Sequence, residues 1–256
     1  MLRTAGLTKR FGGLVAVDGV DFALEENQLC SLIGPNGAGK TTFFDLLTGA
    51  LAPSEGRIEF RQDGEWRDVT DAAPHRTAAL GVHRSYQITN VFPTSTVLEN
   101  VRVAAQAASD DSLRLWRNVD AFPEYTEEAY DILDRVGLRH EAATPAESLS
   151  HGATRQLEVA IALAGDPDVL LLDEPNAGVS SESVGDIIDL IEDVATDHAV
   201  LLVEHNMDIV MEVSDRVVVL NQGEVIADGP PDDVRGDPAV QKAYLGGYEA
   251  GQGGAA

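Results

Sequence analysis

Three short stretches combine residue types that do chemistry together. The first, GPNGAGKT from Gly34 to Thr41, has the spacing G-x-x-x-x-G-K-[ST]. A turn running through Gly34, Pro35, Asn36, Gly37, Ala38 and Gly39 lets backbone N–H groups converge on phosphate oxygens, and the helix behind it adds partial positive charge. Lys40 then reaches the β- and γ-phosphates of a nucleotide, Thr41 offers a hydroxyl to Mg²⁺, and Thr42 touches a nearer phosphate. The second stretch, VLLLDEP from Val169 to Pro175, sets two carboxylates at the end of an apolar run. Alone it reads equally as an acidic turn after a buried strand. Beside a phosphate-binding strand, Asp173 falls within reach of the Mg²⁺ shell, and Glu174 orients and polarises an attacking water. The third, LSHGATRQLE from Leu149 to Glu158, opens an apolar helix with Ser-x-Gly. It reads either as a helix cap or as half of a nucleotide site completed on another molecule.

The elements that must hold these stretches follow from hydrophobic patterning. QLCSLI (28–33) is a short apolar strand running into the glycine-rich turn, and TTFFDLLTGAL has helical character, so strand, turn and helix succeed one another as a parallel α/β sheet requires. DVLLLD (168–173), AVLLVE (199–204) and RVVVL (216–220) are near-continuous Val and Leu, the mark of central strands covered on both faces. SESVGDIIDLIEDVA lies between two of them as a crossover helix. From 88 to 164 the pattern turns helical. TSTVLENVRVAAQ opens with a capping-box pair, Thr96 and Glu99; YTEEAYDILDRVGL ends near Gly137; a third helix runs from Ser150 to Gly165. The expected division is a nucleotide-binding core in two parts, 1–87 and 165–227, a helical subdomain at 88–164, and a C-terminal extension and tail at 228–256. The tail GQGGAA is expected to fray.

Composition bounds the rest. The 256 residues hold 43 Asp and Glu against 18 Lys and Arg, a formal net charge of −25, with lysine only at Lys9, Lys40 and Lys242. With 44% hydrophobic residues the chain folds, so the charge forms an acidic skin. That skin disfavours nonspecific nucleic-acid binding and suits a salt-adapted cytosol, as in extreme halophiles, where the Debye length falls to about 3 Å at molar salt. No apolar run approaches the roughly 20 residues of a membrane span, and MLRTAGLTKRF has no signal-peptide core. The one cysteine, Cys30, sits in an apolar strand and reads as a buried reduced thiol.

Taken in order, GPNGAGKTT, the glutamine of RSYQITNVF, LSHGATRQLE, LLLDEP, NAGVSS and LLVEHN resemble the nucleotide-binding subunits of ATP-binding cassette (ABC) transporters over nearly the whole chain. The resemblance implies a P-loop NTPase (RecA-like) α/β core with a mostly parallel sheet, an N-terminal antiparallel β portion and an inserted helical subdomain. It implies ATP and Mg²⁺ as ligands. Gln87 matches the glutamine that joins core to helical subdomain and contributes to the metal and water site; His205 matches the histidine at the γ-phosphate; Phe11 stands where an aromatic ring meets adenine, with Val17 lining the same surface. Ser150 and Gly152 match the residues that contact ATP held by the opposite subunit, so two subunits close head to tail. His151 and Ala153 replace the usual glycine and glutamine of LSGGQ, and NAGVSS has Ser180 about where an acidic residue is usual; these departures bear on subunit coupling.

The C-terminal run ending DPAVQKAYLG, together with FGGLVAVDGV, resembles the ATPases of branched-chain amino acid uptake. The urea and short-chain amide branch is the main rival, and a soluble ABC ATPase of translation or repair a weaker one, because only one set of motifs is present. A P-loop kinase or GTPase is disfavoured by LSHG and His205 together. The implied partners are a second ABC ATPase subunit, transmembrane permeases docking at the helical insertion, and an extracellular solute-binding protein. The implied location is the cytoplasmic face of the membrane.

Overall fold

A computed structural model describes residues 1–62, 64–85, 91–108, 123–180 and 183–249. Two sheets form the core. The first is antiparallel, in the order β2 (Leu14–Leu24), β1 (Leu2–Phe11), β4 (Glu55–Gln62), β5 (Glu65–Asp68). The second has the order β10 (Glu224–Gly229), β9 (Arg216–Asn221), β3 (Leu29–Ile33), β8 (Ala199–Val203), β7 (Val169–Asp173), β6 (Val82–Ser85), parallel except for the β10 edge.

The Val and Leu runs lack alternation because both faces of this sheet are covered. Every residue of β3, β7 and β8 is buried. Successive residues simply point into different cores. Leu29, Leu170, Leu172, Val200 and Leu202 join one cluster with Val97, Val101, Leu133 and Leu157. Cys30, Leu32, Leu171 and Leu201 join the opposite one with Leu2, Leu7, Phe22 and Phe43.

Helix α1 (Lys40–Leu47) lies in that second cluster, its Phe43 ring meeting Phe22 edge-on at 5.5 Å. Helix α2 (Pro74–Ala79) precedes β6. The inserted unit follows: α3 (Val97–Ala108), α4 (Pro123–Arg135) and α5 (His151–Leu163), with short 3₁₀ turns at Arg139–Glu141 and Ala146–Ser148. The Thr96–Glu99 capping box forms, with Thr96 N–H donating to Glu99 Oε2 at 2.8 Å and Glu99 N–H donating to Thr96 Oγ1 at 3.1 Å. Ser150 caps α5 by accepting the Ala153 N–H at 3.2 Å. Helices α6 (Val184–Ala195) and α7 (Met207–Val213) flank β8, and α8 (Pro231–Gly236) and α9 (Pro238–Glu249) close the chain over Ile33, Val217 and Val219. Cys30 is fully buried, and burial pushes its thiol up to about 12.

Candidate active site

The parallel register lines up the strand ends that carry the candidate residues. Leu32 pairs with Val203, and Val203 pairs with Asp173. The turn after β3, the acidic pair at the end of β7 and the residues after β8 therefore emerge together, at the carboxyl edge where open α/β sheets bind ligands.

Gly34 and Gly39 of the first turn are fixed by neighbouring backbone. Gly34 adopts φ 153°, and a Cβ there would stand 2.1 Å from the Leu220 carbonyl oxygen; Gly39 adopts φ 108°, and a Cβ would stand 2.3 Å from that of Ala16. The tip of the β9–β10 hairpin clamps the turn from outside: Gly223 N–H donates to the Ala38 carbonyl at 2.9 Å and its own carbonyl accepts from Asp18 N–H at 2.9 Å. Asn36, Gly37 and Thr41 are exposed and Thr42 is half-buried. Lys40 is buried, its Nζ donating to the carbonyls of Gly34 at 2.6 Å and Pro35 at 3.2 Å. Burial pulls its pKa below the usual lysine value, against the opposing influence of Glu174 and Asp173. A phosphate offers Lys40 a stronger acceptor than these two carbonyls.

Asp173 is 7% exposed, and its Oδ2 accepts from Arg84 at 2.6 Å. Glu174 has left-handed backbone, φ 50°, with its N–H tied to the Val203 carbonyl at 2.9 Å. That twist turns its side chain to His205, whose Nε2 lies 2.6 Å from Oε1 of Glu174. A carboxylate and an imidazole so joined at an open edge can hold and polarise a water. Glu204 supports both loops: it is buried, accepts the backbone and side-chain N–H groups of Asn176 at 3.3 and 3.1 Å through Oε1, and accepts the His205 N–H at 3.0 Å through Oε2.

Among the described residues, no three His, Cys, Asp or Glu side chains converge as a metal cage. Mg²⁺ held with a nucleotide takes one or two protein oxygens and fills its shell with phosphate and water. The hydroxyl of Thr41 and the carboxylate of Asp173 are hard oxygen donors of the right kind.

The other sequence candidates fall in different places. Phe11 is 46% exposed beside Lys9, as a ring open to a base requires. Val17 differs from expectation: it has no accessible surface and packs with Phe22, Phe43 and Phe44, because the irregular step at Gly19 turns it inward with Val20. It lines the core under the site, not the exposed surface. Gln87 lies outside the described residues. Among the described residues, Ser150 bonds within its own helix, to Ala153 and Thr154. Gly152 is buried against Ser183, where a Cβ would come within 3.2 Å of the Ser183 Cβ, so the residue also serves local packing.

Sequence reasoning did not find Arg84, Asp45 or Glu204. Glu204 had a signal, a carboxylate at the end of an apolar strand as in LLLDEP. Arg84 and Asp45 had none, since Arg84 bonds residues 39 and 89 positions away.

A sequence model of the ABC transporter family matches residues 17–177, and one described as "Branched-chain amino acid ATP-binding cassette transporter" matches 224–250. The chain is 42% identical over 253 residues to the high-affinity branched-chain amino acid transport ATP-binding protein BraF of Pseudomonas aeruginosa, covering 96% of this chain and 98% of that one. It is 38% identical over 253 residues to LivG of Escherichia coli, of the same description, with the same coverages of 96% and 98%. Among solved structures, the ADP conformation of MJ1267, an ATP-binding cassette of an ABC transporter, superposes with a TM-score of 0.82 at 31% identity, covering 96% of this chain and 98% of that one.

Proposed function

The chain belongs to the ABC transporter family of ATP-binding cassettes, and from that premise we propose that it is the ATP-hydrolysing subunit of an importer of branched-chain amino acids. The observation that carries the reading is the convergence at one sheet edge of the Gly34–Thr41 turn, the Asp173–Glu174 pair and His205, in a chain whose C-terminal extension matches the branched-chain model.

The residues divide the work as follows. The turn from Gly34 to Gly39 wraps the β-phosphate with backbone N–H groups, and Lys40 leaves the Gly34 and Pro35 carbonyls for the β- and γ-phosphates. Phe11 stacks on the base. Thr41 and Asp173, with Gln87, would hold Mg²⁺, which would supply neutralisation of the phosphate charge. Glu174 accepts a proton from the attacking water while His205 fixes the carboxylate through the 2.6 Å bond and meets the γ-phosphate. Ser150 and Gly152 face the ATP of a second subunit closing head to tail. Hydrolysis removes the γ-phosphate that joins the two halves, and they separate.

None of the helices among the described residues is long and apolar enough to cross a membrane, so the output of this cycle must pass to other chains. A groove of about 250 Å³, lined by the apolar side chains of Pro74, Val82, Val91 and Ile161 with His83 and Glu158 among them, offers a seat for a permease segment. The working assembly is then two cassettes on the cytoplasmic side of two permeases, served by an extracellular solute-binding protein.

Co-expression with two permeases and a binding protein, reconstitution into vesicles and assay of ATP hydrolysis test this reading. Leucine, isoleucine or valine with the binding protein should raise turnover. Stimulation by urea or short amides instead, or hydrolysis indifferent to every solute, would replace it.

A further inference from the structure

We propose that Arg84 is a positioning residue that sets the gap between Thr41 and Asp173, the two protein groups assigned above to the divalent cation; this rests on reading the site as one for ATP with Mg²⁺. One guanidinium joins three elements. Its Nη1 donates to Oδ1 of Asp45 on α1 at 2.6 Å, and its Nη2 donates to Oδ2 of Asp173 at the end of β7 at 2.6 Å. Arg84 itself stands on β6, the strand next to β7, with its cation 5.4 Å from the centre of the Phe44 ring on α1. The side chains of Arg84 and Asp173 are each 7% exposed and that of Asp45 29%, so solvent screens the Arg84–Asp173 bond little.

Helix geometry turns this bridge into a spacer. Thr41 and Asp45 are four residues apart on α1, hence neighbours on one face of the helix. Fixing Asp45 against Asp173 through a planar, rigid fork therefore fixes Thr41 against Asp173. The bond uses Oδ2 of Asp173 and leaves Oδ1 to the cation. Mg²⁺ tolerates little error in such a gap, since it demands near-octahedral oxygens at about 2.0–2.1 Å.

Charge and geometry predict opposite results when Arg84 is removed. As a mere counter-charge, Arg84 competes with the cation for Asp173, and its loss should tighten metal binding. As a spacer, its loss lets Asp173 and α1 move independently, and metal binding should weaken.

The test uses the full chain with ADP and Mn²⁺, the paramagnetic probe, titrated by electron paramagnetic resonance for wild type, Arg84→Gln and Asp45→Ala. ADP affinity without metal is measured alongside as a check on fold and P-loop. Both variants should keep metal-free ADP affinity and bind Mn²⁺ about 10-fold more weakly or worse, the range seen when partners of metal ligands are removed. Mn²⁺ affinity unchanged or increased in folded Arg84→Gln overturns the proposal. Should Arg84→Gln not fold, Asp45→Ala, which removes the acceptor on α1 and leaves the Arg84–Asp173 pair in place, decides in the same terms: weaker Mn²⁺ binding supports the spacer and unchanged binding overturns it. Wild type that binds no ADP at all would instead overturn the nucleotide reading itself, and this inference with it.

Discussion

Oε1 of Glu174 and Nε2 of His205 lie 2.6 Å apart, although the two residues leave different strands and stand 31 positions apart in sequence. The pair is possible because Asp173 and Val203 are opposite one another in the sheet and because Glu174 takes a left-handed backbone, φ 50°. The bond gives the carboxylate one orientation before any water arrives.

Replacing His205 by Ala should therefore lower the turnover of the assembled complex about 10²-fold, at the low end for a positioned acid–base group, while ATP still binds. Steady-state assays over a range of ATP concentrations separate the two: kcat should fall far more than KM rises.

Glu204 carries a structural prediction. Its carboxylate is buried and accepts three N–H groups, two from Asn176 and one from His205. Glu204→Ala strands these donors, at about 1–3 kcal/mol per buried group, and frees the loops that carry Glu174 and His205. Thermal melts should show a lowered Tm, and turnover should fall beyond what the fraction unfolded explains.

The phosphate turn tolerates no side chain at two places. Gly34→Ala and Gly39→Ala each bring a Cβ to 2.1 and 2.3 Å from a carbonyl oxygen of the adjoining chain. Each should abolish measurable ADP binding in calorimetry while leaving the far-UV circular dichroism close to that of wild type.

Much of this was legible in the sequence for a physical reason. Strands covered on both faces read as unbroken Val and Leu, and the phosphate turn needs glycine where backbones crowd, so β3, β7, β8 and GPNGAGKT announce themselves. Ser150 and the Thr96–Glu99 box were equally readable, because caps are local. Val17 was not, since the irregularity at Gly19 breaks the alternation of β2 and turns inward a residue that counting alone leaves open. Arg84 was hidden because its meaning lies in two distant carboxylates.

The acidic skin gives a prediction about salt. With a net charge of −25, self-repulsion grows as the Debye length lengthens from about 3 Å at 1 M to about 30 Å at 0.01 M. Cys30 supplies the readout, because it is fully buried with its thiol pushed up to about 12 and reacts only when the core opens. Iodoacetamide should label it slowly at molar salt and much faster after dilution. Equal labelling rates would remove the argument for salt adaptation.

The most direct measurement is ATP binding and single-turnover hydrolysis by the complex assembled with its permeases, comparing wild type with Glu174→Gln. The change keeps size and hydrogen bonding to His205 while removing the base. Glu174→Gln should retain ATP binding and lose hydrolysis by about 10²- to 10⁴-fold, the range for a positioned general base. Turnover left intact in Glu174→Gln would contradict the assignment of this site as the one that hydrolyses ATP.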